Sequence, residues 1–438
     1  MNLLTSSQHD HAIHNDMTSY SYLFSKWWHL NKKILSSSAL IFLGSIYVLS
    51  EVYYLFTRFD LHLADLTLYY ETAGRIMMGQ VPYRDFQMDY PFFSIIPILL
   101  PGLLNMLFGS TFEFYCVLFA LQNLLFAAAT AIFLAKTKIE GQHIKSRIKF
   151  YVLLILISLP VYLFRYDAFP AFLTGIIVFG IRKNAFLSGM AWVIATGSKL
   201  YPLVLGPVLL VYYLINKNFK RLFAGLLGVG VTLLCTLIFT LPVIGTSVFD
   251  VVSRHKLRGI QIESVTGGFL LILAKLKLLI VTPVFNFGSV NIDTPSSGII
   301  LSWTMFISPI VFLLLLCHFV IILLSEKRRT GEISQIHIIR SFGIMILAFL
   351  LLNKVLSPQY LIWLFPLVPF YSTSIQHKFV VALILTISIF PGWYSYLVNL
   401  NPIIILVLNI RNALLIWILI DLIRQMNDSR KLASLRII

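Results

Sequence analysis

Apolar runs separated by short polar connections recur along the whole chain. A helix crossing a hydrocarbon core of roughly 30 Å needs about 20 apolar residues, and fewer where protein shields it from lipid. On that basis the pattern predicts crossings near 34–57, 112–135, 150–164, 168–181, 185–198, 201–215, 222–242, 299–325, 338–353, 359–375, 378–392 and 402–423. This is an all-α polytopic architecture of about 12 transmembrane helices. A membrane domain over 34–423 is expected between a tail at 1–33, with Trp27 and Trp28 as an interfacial anchor, and a second tail at 424–438. Two longer interruptions, 58–111 and 243–298, stand out as loops. Inside the first, 92–108 reads as a re-entrant or juxtamembrane helix interrupted by Pro97 and Pro101. Inside the second, Gly268 to Phe287 reads as a surface amphipathic segment because Lys275 and Lys277 sit in its middle. The stretch after Asp60 has helical spacing, with Leu66, Tyr69, Tyr70, Ala73, Ile76 and Met77 on its apolar positions. Asp65 is placed as N-cap and Gly79 as C-cap.

Composition supports the membrane reading: 58% of residues are hydrophobic and 12% charged, outside the range of soluble domains. The net charge of +16 would fit a nucleic-acid partner, but its location argues otherwise. Both tails and the segments 136–149, 182–184, 216–221, 326–337 (with Arg340) and 376–378 fall on one side of the predicted topology. Together with Asp421 they hold 22 of the 34 Lys/Arg and 7 of the 18 Asp/Glu. That is the cytoplasmic bias that orients membrane proteins, so no nucleic-acid footprint is required. Cys116, Cys235 and Cys317 lie far apart in apolar runs and suggest neither a disulfide framework nor a metal site. A cleavable signal peptide is not expected in the first 33 residues.

The unusual polar clusters all fall on the opposite, extracytoplasmic side of this topology. They are Asp60 to Asp89; Arg165, Tyr166 and Asp167; Ser198, Lys199 and Tyr201; Arg254 to Glu263; and Asn353, Lys354, Ser357, Gln359 and Tyr360. Clusters from distant parts of a chain at one membrane face imply a shared water-accessible cavity, since ionisable groups facing lipid are costly. Carboxylates from the first loop suit proton abstraction, and Arg165, Lys199, Arg258 and Lys354 suit a phosphate. Plainer roles stand beside these: Asp65 as a helix cap, Arg165 paired with Asp167, Lys199 reaching out to a membrane interface.

The run DLTLYYETAGRIMMGQVPYRDFQMDYP resembles the first-loop signature of GT-C glycosyltransferases, most closely the family eighty-seven and GPI-mannosyltransferase type. Its Asp, Tyr, Gly-x-x-x-Tyr and Tyr-Pro would be Asp65, Tyr69, Gly79 with Tyr83, and Tyr90 with Pro91. FRYDAFPAFL, GSKLYPLVLGPVLL, RGIQIES and NKVLSPQYLIWLFPL look like further motifs of that family. Phe92 replaces a second proline common in relatives, and Asp60 and Asp65 lie five residues apart where a paired acidic motif is usual. The resemblance implies a polyprenol-phosphate-sugar donor, usually mannose, transferred with inversion to a glycan or glycolipid acceptor. No cofactor or metal is implied. Asp65 or Asp60 would be the base; Arg165, Lys199, Arg258 and Lys354 would hold the donor phosphate. Tyr69, Tyr83, Arg84, Asp85, Tyr90, Asp167, Tyr201, Gln261, Glu263, Gln359 and Tyr360 would contact substrate. The expected location is a bacterial plasma membrane with the site facing outward. The main rival is a secondary transporter or a lipid or glycan flippase, but the chain shows no internal repeat or matched pair of broken helices. The topology predicts that a membrane-impermeant thiol reagent added outside labels a single cysteine at Gln80 and spares one at Gln142. The reverse pattern would invert it.

Overall fold

The computed structural model describes residues 60–109, 111–139, 141–249, 253 and 257–434. The predicted crossing at 34–57 and the tail at 1–33 lie outside these residues, as do Arg254 and the last four positions of the C-terminal tail. The chain is a predominantly α-helical, multi-pass membrane protein. Six described helices are long and apolar enough to cross a membrane. In order, the helices are α1 (Asp60–Met77), α2 (Ile95–Phe108), α3 (Phe112–Lys136), α4 (Ile144–Ile157), α5 (Leu159–Phe164), α6 (Ala168–Lys183), α7 (Ala185–Thr196), α8 (Gly206–Ile215) and α9 (Phe219–Ile244). After β1 (Ile260–Gln261) come α10 (Val265–Lys275), β2 (Thr282–Asn286), β3 (Ser289–Asp293), α11 (Ser297–Thr330), α12 (Gln335–Leu352), α13 (Thr373–Ile387), α14 (Tyr394–Val398) and α15 (Pro402–Ser434). The six span candidates are α3, α9, α11, α12, α13 and α15, some running a few residues beyond these limits.

The segments predicted at 150–164, 168–181, 185–198 and 201–215 are shorter pieces. α4 and α5 are separate helices meeting at Ser158, and α7 has 12 residues, about 18 Å of rise. Such short helices are shielded by packing. A side chain on Gly189 would run into the carbonyl of Gly225, so α7 and α9 meet backbone to backbone. At the centre is α12, whose residues from His337 to Ala348 are nearly all buried, as befits a helix apolar on every side.

Four local expectations change. The 359–375 stretch is not an α-helix; it forms 3₁₀ turns at Pro358–Leu364 and Val368–Phe370 before α13 begins. Pro358, Pro366 and Pro369 remove the donors a helix would need, and irregular backbone survives at this position because protein covers it. Gly268 to Phe287 is divided between α10 and β2. The β2–β3 hairpin turns through Phe287 and Gly288 at φ 49° and 70°, and β1-β3-β2 is a small antiparallel sheet that the apolar pattern does not reveal. Asp65 is not an N-cap, since α1 already runs from Asp60. Gly79 does close that helix, with φ 86° and its N–H on the Ile76 carbonyl.

The last change concerns α2, which Pro97 and Pro101 do not interrupt. Pro97 sits in the first turn, where an N–H would have no partner, and Pro101 leaves only the Pro97 carbonyl without its donor. Gln122 of α3 supplies one, its Nε2 donating to that carbonyl at 2.9 Å. Replacing Gln122 with Leu should lower stability by about 1 kcal/mol. Adding Pro101→Ala, which restores the helical N–H, should recover it. Thermal unfolding in detergent measures both; equal loss in the single and double variants would exclude this compensation.

Candidate functional site

The first-loop helix is held by its apolar stripe: Leu66, Tyr69 and Ala73 are fully buried at helical spacing, while Glu71 and Arg75 stay exposed. Because α1 starts before Asp65, that side chain leaves the helix body one turn ahead of Tyr69. It forms an ion pair with Arg165 from the α5–α6 junction. Asp65 keeps 32% of its side chain exposed against 7% for Arg165, so a buried cation carries a solvent-facing carboxylate. The side chain of Asp60 is outside the described residues.

Arg165 therefore does not pair with Asp167 as its nearest partner. Asp167 is 1% exposed, lies 3.5 Å from Lys199 Nζ, and accepts from Trp363 Nε1 at 2.7 Å. The Lys199 ammonium is surrounded by rings, 4.6 Å from the centroid of Tyr166, 5.4 Å from Tyr360 and 5.6 Å from Tyr90. Such faces are electron-rich and attract a cation. Tyr69 packs edge-on to both Tyr90 and Tyr166. Burial pushes the phenols of Tyr69, Tyr90 and Tyr166 above their usual range, so all three remain neutral donors. The loop reaches this place through Phe93, whose N–H donates to the Gly197 carbonyl at 2.6 Å beside the Lys199 turn. Arg165, Asp167, Lys199, Tyr90, Tyr69, Tyr360 and Asp65 thus form one cluster built from four distant segments.

A second cluster continues from the same 353–364 segment. Lys354 Nζ donates to the Arg258 carbonyl at 2.5 Å, and the Arg258 guanidinium donates to Ser289 Oγ at 2.8 Å. Burial and, less strongly, the Arg258 charge lower the Lys354 ammonium. Gln261 bridges the two backbones: its N–H donates to the Lys354 carbonyl, its Oε1 accepts from Leu356 N–H at 2.8 Å, and its Nε2 donates to Ser357 Oγ at 3.1 Å. Glu263 is buried, and burial pushes its carboxyl up to about 7, against the opposing charge of Arg411. Arg411 Nη2 donates to the Glu263 carbonyl at 2.6 Å. Ile260 and Ile292 of the sheet, with Ile262 just after β1, bury against Ile404, Ile405 and Leu408 of α15, which fixes this cluster to the helix bundle.

Not every predicted contact residue faces this space. The Tyr201 hydroxyl is shared with Thr174 at 2.8 Å and the Pro170 carbonyl at 3.0 Å, and its ring stacks on Trp363 at 4.1 Å. It positions Trp363. Arg84 and Asp85 pair with each other at 2.8 Å in the exposed turn, and Val81 N–H donates to Asp85 Oδ2. These hydrogen bonds hold the Asp85 carboxyl down at about 2. The Tyr83 hydroxyl donates to the Tyr90 carbonyl at 2.6 Å and shapes the loop. Gln359, half-buried, precedes Tyr360. Sequence reasoning missed Trp363, three residues after Tyr360 and so on the same face of a 3₁₀ turn. It also missed Arg411, whose signal was a lone arginine inside an apolar run. No protein-family model matches the chain, and no curated protein matches it.

Lys199 and Asp167 make a buried pair, so removing one partner leaves an uncompensated charge. Lys199→Met should destabilise the protein by about 3 kcal/mol. Lys199→Met with Asp167→Asn should regain most of that, because Trp363 still meets the neutral amide oxygen. Unfolding of the three variants side by side tests the pair; additive losses would show that the two side chains do not interact.

Proposed function

We propose that this protein is a membrane glycosyltransferase of GT-C type. It moves a sugar, mannose by preference, from a polyprenol-phosphate donor to a glycan or glycolipid acceptor at the extracytoplasmic face. The observation that carries the reading is the pair formed by Asp65, one-third exposed, with the buried Arg165, beside Lys199 in its ring of tyrosines. A base and phosphate-binding cations within one polar site are the parts that such a transfer needs. The expected twelve crossings and the GT-C architecture belong to the same proposal.

In this mechanism the leaving phosphate binds where Arg165 and Lys199 converge, and Arg258 with Lys354 extends the cationic wall. While Arg165 holds Asp65, the carboxylate lone pairs are committed to the guanidinium. A phosphate competes for the same N–H donors, since a guanidinium fork fits phosphate oxygens as it fits a carboxylate. Asp65 then turns to the acceptor hydroxyl, accepts its hydrogen, and takes the proton as the oxygen attacks the anomeric carbon from the face opposite the phosphate. The C–O bond to phosphate breaks, its electron pair stays on the phosphate oxygen, and the cations stabilise that charge. Asp60 remains the alternative base.

The test is transfer by the purified protein in proteoliposomes loaded with polyprenyl-phosphate mannose. Asp65→Asn should reduce the rate per folded molecule by at least about 100-fold, with the folded fraction read from thermal unfolding, whereas an aspartate serving only to hold Arg165 would lower stability and leave the rate of the folded fraction nearly intact. Loss in Asp60→Asn with normal transfer in Asp65→Asn would move the role to Asp60. Movement of the intact lipid-linked sugar across the bilayer, without transfer, would replace the enzyme by a flippase.

A further inference from the structure

The candidate site lies at the start of α6, and that helix ends about 22 Å away at Arg182. There the ends of α6, α8, α9 and α11 surround a cavity of about 420 Å³. Three cations line it from three different helices: Arg182 in the last turn of α6, Arg221 in the first turn of α9, and Lys327 in the last turn of α11. Glu332 is the only carboxylate among its described lining residues. A bias toward positive residues in cytoplasmic connections explains why arginines and lysines occur here. It does not explain why three separate connections bring them around one hollow.

The local geometry is that of an anion receptor. Arg182 Nη2 donates to the Ile333 carbonyl, which pins the guanidinium to the wall, and its Nε is buried without a hydrogen-bond partner among the described residues. Asn218 caps α9, accepting from the Arg221 N–H at 3.2 Å. The N–H groups of Phe219 and Lys220, in the first turn of that 26-residue helix, have no acceptor within it. The carboxyl ends of α6, α8 and α11 face the same hollow and oppose the amino end of α9, so the positive character of the site rests on the three side-chain charges. Two arginine forks suit a tetrahedral oxyanion, and the volume exceeds what a bare phosphate fills.

We propose that this cavity is a second site, separate from the transfer site, which binds a phosphate-bearing anion. Two sources share that chemistry: the headgroup of an anionic phospholipid, drawn to basic hollows between helices at the membrane surface, and a soluble pyrophosphate-like anion. The site does not depend on the glycosyltransferase reading. It would let the lipid or anion supply at one end of α6 bias the packing of a helix whose other end carries Asp167.

The experiment uses the full chain in two arms. In one, nanodiscs of phosphatidylcholine are compared with nanodiscs also containing phosphatidylglycerol, and bound lipid is counted by native mass spectrometry. In the other, inorganic pyrophosphate is titrated calorimetrically into the protein in phosphatidylcholine nanodiscs. Arg221→Gln is the principal variant because Arg221 is exposed and its loss does not threaten the fold; Arg182→Gln is the second. Wild type should bind at least about tenfold more tightly than Arg221→Gln, and Glu332→Gln should bind more tightly still. Retention of phosphatidylglycerol without pyrophosphate binding assigns the site to a headgroup; pyrophosphate binding assigns it to a soluble anion. No binding in either arm, or equal binding in wild type and Arg221→Gln, overturns the proposal.

Discussion

Arg165 has 6% of its surface exposed, and a guanidinium so placed has to be met by an anion. Asp65 meets it. The first-loop helix is thereby tied to the α5–α6 junction by a charge contact in addition to its apolar stripe, and the loop that follows is led past the same junction. Its end is fastened by Phe93 to Gly197, which brings Tyr90 over Lys199. Without that pair, α1 would be held against the bundle by apolar and ring contacts alone, those of Leu66, Tyr69, Tyr70 and Ala73 among them.

The neighbouring charges follow the same rule at greater depth. Asp167 is more deeply buried than Arg165, and it is served by Lys199 and by the indole of Trp363. Trp363 is held in turn between the rings of Tyr201 and Tyr360, each at 4.1 Å. The irregular 353–364 segment thus does two things at once. Its turns seat Trp363 and Tyr360 in the first cluster, and its backbone at Lys354 and Leu356 pairs with Gln261 in the second. A continuous α-helix would have satisfied those backbone groups internally and left nothing to receive Gln261.

Much of this was legible in the sequence because the signals were strong. Apolar runs locate the long helices, since lipid imposes both length and composition. Polar clusters in a chain this apolar are expensive, and their residues do gather: Asp65, Arg165, Asp167, Lys199 and Tyr360 meet although they span nearly 300 positions. What was not legible depends on tertiary pairing. Asp65 reads as a cap because nothing local reveals that the helix begins earlier. Arg165 and Asp167 read as each other's partners because they are close in sequence, yet each finds its nearest opposite charge on another segment. Pro97 and Pro101 read as breaks because the compensating Gln122 lies on the following helix. The 359–375 run reads as a helix because composition cannot distinguish a buried irregular segment from one.

In the proposed transfer, a phosphate takes Arg165 away from Asp65. The most direct measurement is a double-mutant cycle on unfolding free energy with Asp65→Asn and Arg165→Gln, run with and without polyprenyl phosphate, the leaving group of the proposed donor. Without the lipid, the two side chains should be coupled by about 1 to 3 kcal/mol. With it, the coupling should fall close to zero as the phosphate occupies the guanidinium. A coupling that persists unchanged in saturating polyprenyl phosphate, or that is absent from the start, would contradict the account.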